Sequence, residues 1–469
     1  MNKTEYLEKI DTILADERKF VKISKDPTEA LKKKLNKFIT MSNINSETIK
    51  INKVSGEYGM GYCYGTVKTH KPGNKLRPII SQIPTPTYNI AKKLCKILTP
   101  YVPTTYSLNS ATDFLDILKS NNSRGIIASL DVESLFTNVP VERTINYIAQ
   151  RVYHDDSTPP LDIPEAALRG LLQCCTKEAP FTCPRGQIYQ QIDGVAMGSP
   201  LGVLLSNFFM GCIEDEVFKT INKPDIYCRY IDDIFIKTKN EEDMEDIRTC
   251  LQEISGLKFT IERSAEGKMP FLDVLVTQNQ ENFSTNVYVK PTNNGQCLNG
   301  RSECPQRYKD STIAAYIRRA ITHCSTWKEV HGEISRSTNV LLSNGFNTND
   351  IEKQVKKTVD KCHSPLFTGR SQTHSGAATA RQALAVMPER VALKPVPRRG
   401  DEEEDEEVEG DVWALDFALE VTAVRQPEVC DARWRARTGG GEDGWALVFA
   451  PDVVKVCPPQ ELWRDDRRE

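Results

Sequence analysis

Two adjacent carboxylates, Asp232 and Asp233, stand inside the apolar run "RYIDDIFI" at 229–236. A third, Asp131, closes the β-branched stretch "GIIASLD" at 125–131. Like charges set side by side beneath apolar neighbours repel, so a cation is expected close by. Clustered carboxylates suit hard cations; Mg²⁺ takes one or two of them and completes its octahedron with water and phosphate oxygens. Two such ions close together stabilise both the attacking and the leaving oxygen of an in-line phosphoryl displacement. The plainer reading is a strand-end acid and an ordinary Asp turn, because Asp bonds nearby backbone donors.

Two further stretches bear on the choice. "TVKTHKPGNKLRPIIS" at 66–81 gathers Lys68, His70, Lys71, Lys75 and Arg77 around a Pro-Gly turn between apolar strands. A basic hairpin suits a triphosphate, since Lys and Arg donate charge-assisted bonds to phosphate; the alternative is a solvated loop. "GVAMGSPLGVLLSNFF" at 194–209 sets Gly194 and Gly198 before an apolar helix expected from Ser199-Pro200. Small residues there let a nucleotide lie close to backbone; the alternative is a tight helix start.

The elements that must position these residues are legible as periodicities. Tyr230–Ile231 and Ile234–Ile236 read as two strands with the acids at the turn. Apolar residues at helical spacing mark 28–39, 140–152 and 311–324, and 240–254 opens on an Asn cap. Strands with helical crossovers and one acid-bearing hairpin give an α+β class, with helices packed on one sheet face. If the Asp131 strand neighbours the hairpin, the acids meet at one sheet end.

Composition bounds the rest. The chain has 469 residues, 39% of them hydrophobic, and a net charge of −3, which by itself points to no partner. No run approaches the length of a membrane span, and the charged N-terminus leads to the expectation of no signal peptide. Fourteen cysteines without a framework read as free thiols, and Cys297, Cys304, His323, Cys324, Cys362 and His363 fit no zinc spacing. Near residue 370 the style changes. Residues 370–469 carry 14 Lys+Arg against 21 Asp+Glu, net −7, which leaves the first 369 at +4. The tail prefers Arg to Lys, holds four of the five Trp and includes "DEEEDEE" at 401–407. Residues 370–412 read as a disordered acidic linker and 413–469 as a tail of unknown nature.

The order of the four motifs resembles the palm polymerases of the reverse transcriptase class. The wording "YGTVKTHKPGNKLRPIIS", "SLDVESLFTNVPVERTI", "GVAMGSPLG", "RYIDDIFI", "LKFTIE" and "PFLDVLV" is similar to reverse transcriptases of Penelope-like retroelements, a branch similar to telomerase reverse transcriptase. The resemblance runs from about residue 50 to about residue 360. It implies a right-hand fold: a helical extension at 1–50, fingers and palm at 51–279, and a helical thumb-like region at 280–369. It implies an RNA-directed DNA polymerase taking an RNA template, a DNA primer, dNTPs and two Mg²⁺ ions, with Mn²⁺ as a substitute.

By the same resemblance Asp131 and Asp232 bind metal, with the carbonyl of Val132 beside them, and Asp233 supports the catalytic site. Tyr230 lies in the primer-contacting hairpin. Lys68, Lys71 and Arg77 hold the triphosphate, Phe136 is the steric gate against a 2′-hydroxyl, and Met197 and Gly198 cover the incoming nucleotide. Lys258 stands near the pyrophosphate as a proton donor. A nuclear location is implied only by the family. Departures are "GSPLGV" where the family continues "GSPLSP", and no GIY-YIG nuclease wording. The chain then reads as a truncated element copy fused to foreign sequence. The alternative is a catalytically silent, nucleic-acid-binding relic of a decayed element.

Overall fold

The computed structural model describes residues 1–68, 73–155, 158–362, 448–450 and 453–455. Two compact units divide the chain, Met1–Ala385 and Val386–Glu469. The first begins α1 (Lys3–Leu14), β1 (Phe20–Ile23), α2 (Thr28–Asn45), β2 (Gly61–Val67), β3 (Leu76–Ser81), α3 (Tyr88–Leu98) and α4 (Ala111–Lys119). Next come β4 (Ile126–Val132), α5 (Leu135–Asn138), α6 (Val141–Tyr153), α7 (Glu165–Thr176), β5 (Pro180–Thr182), β6 (Ile188–Gln191) and α8 (Gly202–Thr220). After them run β7 (Ile226–Tyr230), β8 (Asp233–Thr238), α9 (Glu241–Ser255), β9 (Phe259–Arg263), β10 (Lys268–Phe271), β11 (Val274–Gln278) and β12 (Phe283–Val287). The described residues of this unit end in three helices: α10 (Gln306–His323), α11 (Trp327–Ser343) and α12 (Thr348–Cys362). In the second unit the described residues form one hairpin, β13 (Val448–Ala450) with β14 (Val453–Lys455). The 370–412 linker, and the 413–469 tail apart from that hairpin, lie outside the described residues.

The central sheet has the order β7-β8-β4-β9, and every pairing is antiparallel. Alternation along β4 and β8 sorts its two faces. Ala128, Leu130 and Val132 with Ile234 and Ile236 join the large core, packed with Ile145 and Ile148 of α6, Phe208 and Ile213 of α8 and Met244 of α9. On the opposite face Ile127 and Phe235 meet Phe114 of α4 and Phe271 of β10. Phe114, Phe235 and Phe271 pack edge-on or tilted, with ring centroids 4.7–5.5 Å apart. Each such pair adds about 0.5–1.5 kcal/mol beyond the burial of its area. Asp131 and Asp233 continue this second face, past the end of the aromatic packing.

A second sheet, β1-β6-β5-β2-β3, contains one parallel pair, β2 with β5. The N-terminal segment is therefore not simply a helical extension: β1 is an edge strand of this sheet, paired with β6, and Ile10 and Leu14 of α1 are buried beneath it. Nor does the helical region begin at 280, since β12 pairs with β11 in a third sheet, β10-β11-β12. Helices expected at 28–39 and 311–324 run longer, to Asn45 and from Gln306. Asn240 caps α9 by accepting the Asp243 N–H, and Gly256 ends that helix in the left-handed region. The twelve described cysteines are free, and no described helix is long and apolar enough to cross a membrane.

The hairpin of β10 and β11 is tied to α10 by charge. Asp273 Oδ2 lies 3.0 Å from Arg319 Nε, and Asp273 Oδ1 lies 2.9 Å from His323 Nε2. Arg319 Nη2 also donates to the Tyr288 carbonyl at 2.7 Å. Burial opposes the Asp273 charge, but His323 and Arg319 outweigh it and hold this carboxyl below the usual range. A lowered folded-state value stabilises the protein above the unfolded one and is lost as pH falls through it. The stability gap between wild type and Asp273→Asn is expected to be open at pH 7 and to close as pH drops below about 4. Thermal melts across that range check this; a gap unchanged at low pH contradicts it.

Candidate active site

The ladder between β4 and β8 sets Asp131 directly opposite Asp233. On its other side Asp131 pairs with Thr260 of β9. Directly opposite residues on one sheet face bring their Cβ atoms to within about 5.5 Å. Between β7 and β8 the chain turns in two residues, Ile231 and Asp232, with Tyr230 paired to Asp233. The turn places Asp232 at the sheet end beside the other two acids, and all three are half-buried. The Val132 N–H donates to the Asp232 carbonyl at 3.3 Å, stitching the turn to the end of β4.

The turn is strained. Ile231 has φ +58°, a left-handed conformation that is a genuine outlier for a β-branched residue. Such a residue costs on the order of 1–3 kcal/mol and persists only where its surroundings over-determine it. Arg229 supplies that determination: Nη1 donates to the Ile231 carbonyl at 3.1 Å, and the side chain is fully buried. It stands two residues before the turn, on the sheet face opposite to Asp131 and Asp233, with its charge matched by Glu214.

The other expected residues divide. Phe136 is half-buried in α5; its carbonyl accepts the Val195 N–H at 2.7 Å, and its ring edge faces Gly202 at the start of α8. The departure at Gly202 thus leaves the helix intact, and α8 begins there rather than at Ser199-Pro200. Met197 lies against β3, its carbonyl accepting from Ile80 N–H at 2.8 Å. Gly194 and Gly198 answer a demand nearer than a nucleotide. A Cβ on Gly194 would stand 2.6 Å from the Thr137 carbonyl oxygen, and one on Gly198 2.7 Å from that of Ile80. Both have positive φ, +76° and +112°. Tyr230 packs partly on the aromatic side of the central sheet. Lys258 is exposed, and its carbonyl accepts the Glu133 N–H at 3.0 Å just beyond Asp131.

On the basic hairpin, Arg77 is exposed on β3 opposite Thr66, and Lys68 follows β2 with its N–H donating to Lys75. Lys71 lies outside the described residues. Sequence reasoning missed Lys9 of α1, whose Nζ donates to the carbonyls of Gly73 and Asn74 at 2.8 and 3.1 Å and so tethers the hairpin tip. It also passed over Arg229 and Glu214, although a charged residue inside an apolar strand and another inside an apolar helix were both visible signals. Among the described residues no three His, Cys, Asp or Glu side chains lie close enough to hold a metal ion by themselves. Two carboxylates with substrate phosphate oxygens are nonetheless the donor set that Mg²⁺ ordinarily takes, and Asp131 with Asp232 fits it.

Residues 69–263 match the family described as reverse transcriptase (RNA-dependent DNA polymerase), and residues 296–356 match the animal helix-turn-helix domain. The second match takes in α10, α11 and the first part of α12, helices expected from the sequence to form a thumb. No curated protein matches. Among solved structures, telomerase from Candida albicans in complex with a fragment of telomeric RNA is similar at 10% identity and TM-score 0.45, over 78% of this chain and 70% of that one. Telomerase from Candida tropicalis gives 10% and 0.42, over 80% of this chain and 64% of that one, less than two thirds of its length. The Sicinivirus 3Dpol RNA-dependent RNA polymerase gives 12% and 0.44, over 75% and 89%. The family match carries the assignment: the chain contains a reverse transcriptase domain of palm polymerase fold, and that domain is an RNA-directed DNA polymerase.

The glycines yield a graded prediction. Gly186 has φ +79° and open space around it, so Gly186→Ala should cost about 1–2 kcal/mol of conformational strain. Gly194→Ala should add about 1–3 kcal/mol of overpacking to a similar strain. Denaturant midpoints of the two variants check the order; equal midpoints contradict the close approach of Thr137.

Proposed function

We propose that the chain is a Penelope-like reverse transcriptase that extends a DNA primer along an RNA template, with Asp131 and Asp232 as the metal-binding carboxylates. The observation that carries this reading is the register of Asp131 against Asp233, with Asp232 in the adjoining turn. The motif wording supports the Penelope-like branch.

In this reading Asp131 and Asp232 hold two divalent ions with help from the Val132 carbonyl, while Asp233 adds negative charge beside them. Those ions, when bound, supply the positive charge that eases ionisation of the primer 3′-hydroxyl and departure of pyrophosphate. The protein's own groups do the rest. Arg77 and Lys68, with Lys71, give the triphosphate charge-assisted partners. Met197 and Gly198 present backbone over the incoming nucleotide, and the Phe136 ring occupies the space of a 2′-hydroxyl. Tyr230 meets the primer end, and the exposed Lys258 can donate a proton to the leaving group. The helices of residues 306–362 act as the thumb on the hybrid duplex, whose phosphates make binding fall steeply with salt.

Two variants test the assignment. Asp232→Asn removes one charge facing the metals, so extension of oligo(dT) on poly(rA) with Mg²⁺ should fall at least about 10²-fold while hybrid binding persists; Asp233→Asn should be milder. Near-wild-type extension by Asp232→Asn would reject the metal assignment. A wild-type chain that binds hybrid without extending it would instead identify a silent relic. Phe136→Val should raise rNTP use relative to dNTP use by about 10- to 200-fold, the scale of steric discrimination in a pocket. Single-nucleotide addition with dGTP and rGTP measures it, and an unchanged ratio in an active variant would make Phe136 core packing alone.

A further inference from the structure

We infer that the buried Arg229–Glu214 pair is a positioning device for Asp232, holding the turn at the strained backbone conformation that aims its carboxylate at the metals. The inference rests on the metal-binding role proposed for Asp232. Arg229 is 0% exposed and Glu214 1%. Arg229 Nε donates to Glu214 Oε1 at 2.5 Å and Nη2 donates to Oε2 at 3.1 Å, a two-point fork. The Tyr227 hydroxyl, also buried, donates to the same Glu214 Oε1 at 3.2 Å.

A buried ion pair alone is weak evidence for stability, because apolar residues of similar volume commonly replace one without loss. This pair does something an apolar pair cannot. Its remaining nitrogen, Nη1, reaches the Asn207 Oδ1 at 2.8 Å and the Ile231 carbonyl at 3.1 Å. Asn207 and Glu214 both lie on α8, seven residues apart, so one helix face carries the whole clamp. The Ile231 carbonyl belongs to the peptide that leads into Asp232. Gripping it fixes the plane of that peptide and hence the direction of the Asp232 side chain. The Asp232 carbonyl is fixed from the other side by Val132 N–H. Arg229 is itself immobile: its N–H donates to the Tyr106 carbonyl at 2.8 Å and its carbonyl accepts from Leu108 at 2.7 Å. The Asp232 charge also acts on Arg229, so the two side chains lie within each other's field. The turn is thereby pinned on both peptide groups, which a two-residue hairpin with an isoleucine at φ +58° requires.

The discriminating variant replaces the pair by apolar residues, Arg229→Met with Glu214→Leu, and adds Tyr227→Phe so that no hydroxyl is orphaned. The full chain extends oligo(dT) on poly(rA) across a Mg²⁺ titration, with Tm and hybrid Kd measured alongside. The expected result is a Tm and a hybrid Kd close to wild type. The half-activating Mg²⁺ concentration should rise about 10-fold or more, as when a residue orienting a metal ligand is lost. The maximal rate should fall on the order of 10²-fold, the cost of a small misplacement. Wild-type Mg²⁺ activation and rate in the triple variant would overturn the inference. Should the triple variant not fold, Arg229→Lys decides: it keeps the charge but cannot fork to Glu214 and reach Ile231 together, so the same Mg²⁺ shift is expected and its absence overturns the inference. Wild-type protein that does not extend would instead remove the underlying assignment of Asp232.

Discussion

Everything at this site depends on holding three carboxylates together at one end of a β-sheet. The ladder between β4 and β8 forces Asp131 and Asp233 into direct opposition, and the tight turn adds Asp232. Directly opposed like charges destabilise a sheet. The structure accepts that cost because the apolar side chains around the acids are committed elsewhere. Alternation sends Leu130, Val132, Ile234 and Ile236 to the helix-covered face, and the register cannot slip by one residue without turning them out. Core packing thus enforces an electrostatic arrangement that would not form by itself.

Arg229 completes the arrangement from within. Its strand neighbours Cys228 and Tyr227 are buried apolar or aromatic residues, and its charge is matched by Glu214 on α8. The same guanidinium spans the gap from the helix layer to the turn. A site with a strained backbone needs such a rigid connection, since a mobile turn would scatter the carboxylates over many directions. The glycines ahead of α8 play a parallel part: Gly194 lets the Thr137 carbonyl, and Gly198 the Ile80 carbonyl, approach the chain beside Phe136 and Met197.

Much of this was legible in residues alone. "RYIDDIFI" and "GIIASLD" announced strands ending in acids, and the apolar periodicities at 140–152 and 240–254 announced helices that fall at Val141–Tyr153 and Glu241–Ser255. What local pattern could not reveal was long-range pairing. The parallel partnership of β2 with β5 joins segments more than a hundred residues apart, and β1 is only four residues long, too short to read as a strand. The clamp escaped for a related reason. Arg229 and Glu214 each stand out as a charge inside an apolar element, but only the fold buries both and sets them face to face. The glycines were read as room for a ligand when part of their reason is room for the protein's own backbone. The helix-turn-helix match over 296–356 likewise lay beyond a reading that took those helices only as a thumb.

The activity proposed for this sheet end is template-directed nucleotidyl transfer with divalent metal. Single-turnover addition to a DNA primer annealed on a defined RNA template, with each dNTP offered alone, tests it most directly. Only the dNTP complementary to the next template base should be added, and chelation of the divalent ion should abolish addition. Addition that ignores the template base, or that survives chelation, would contradict it.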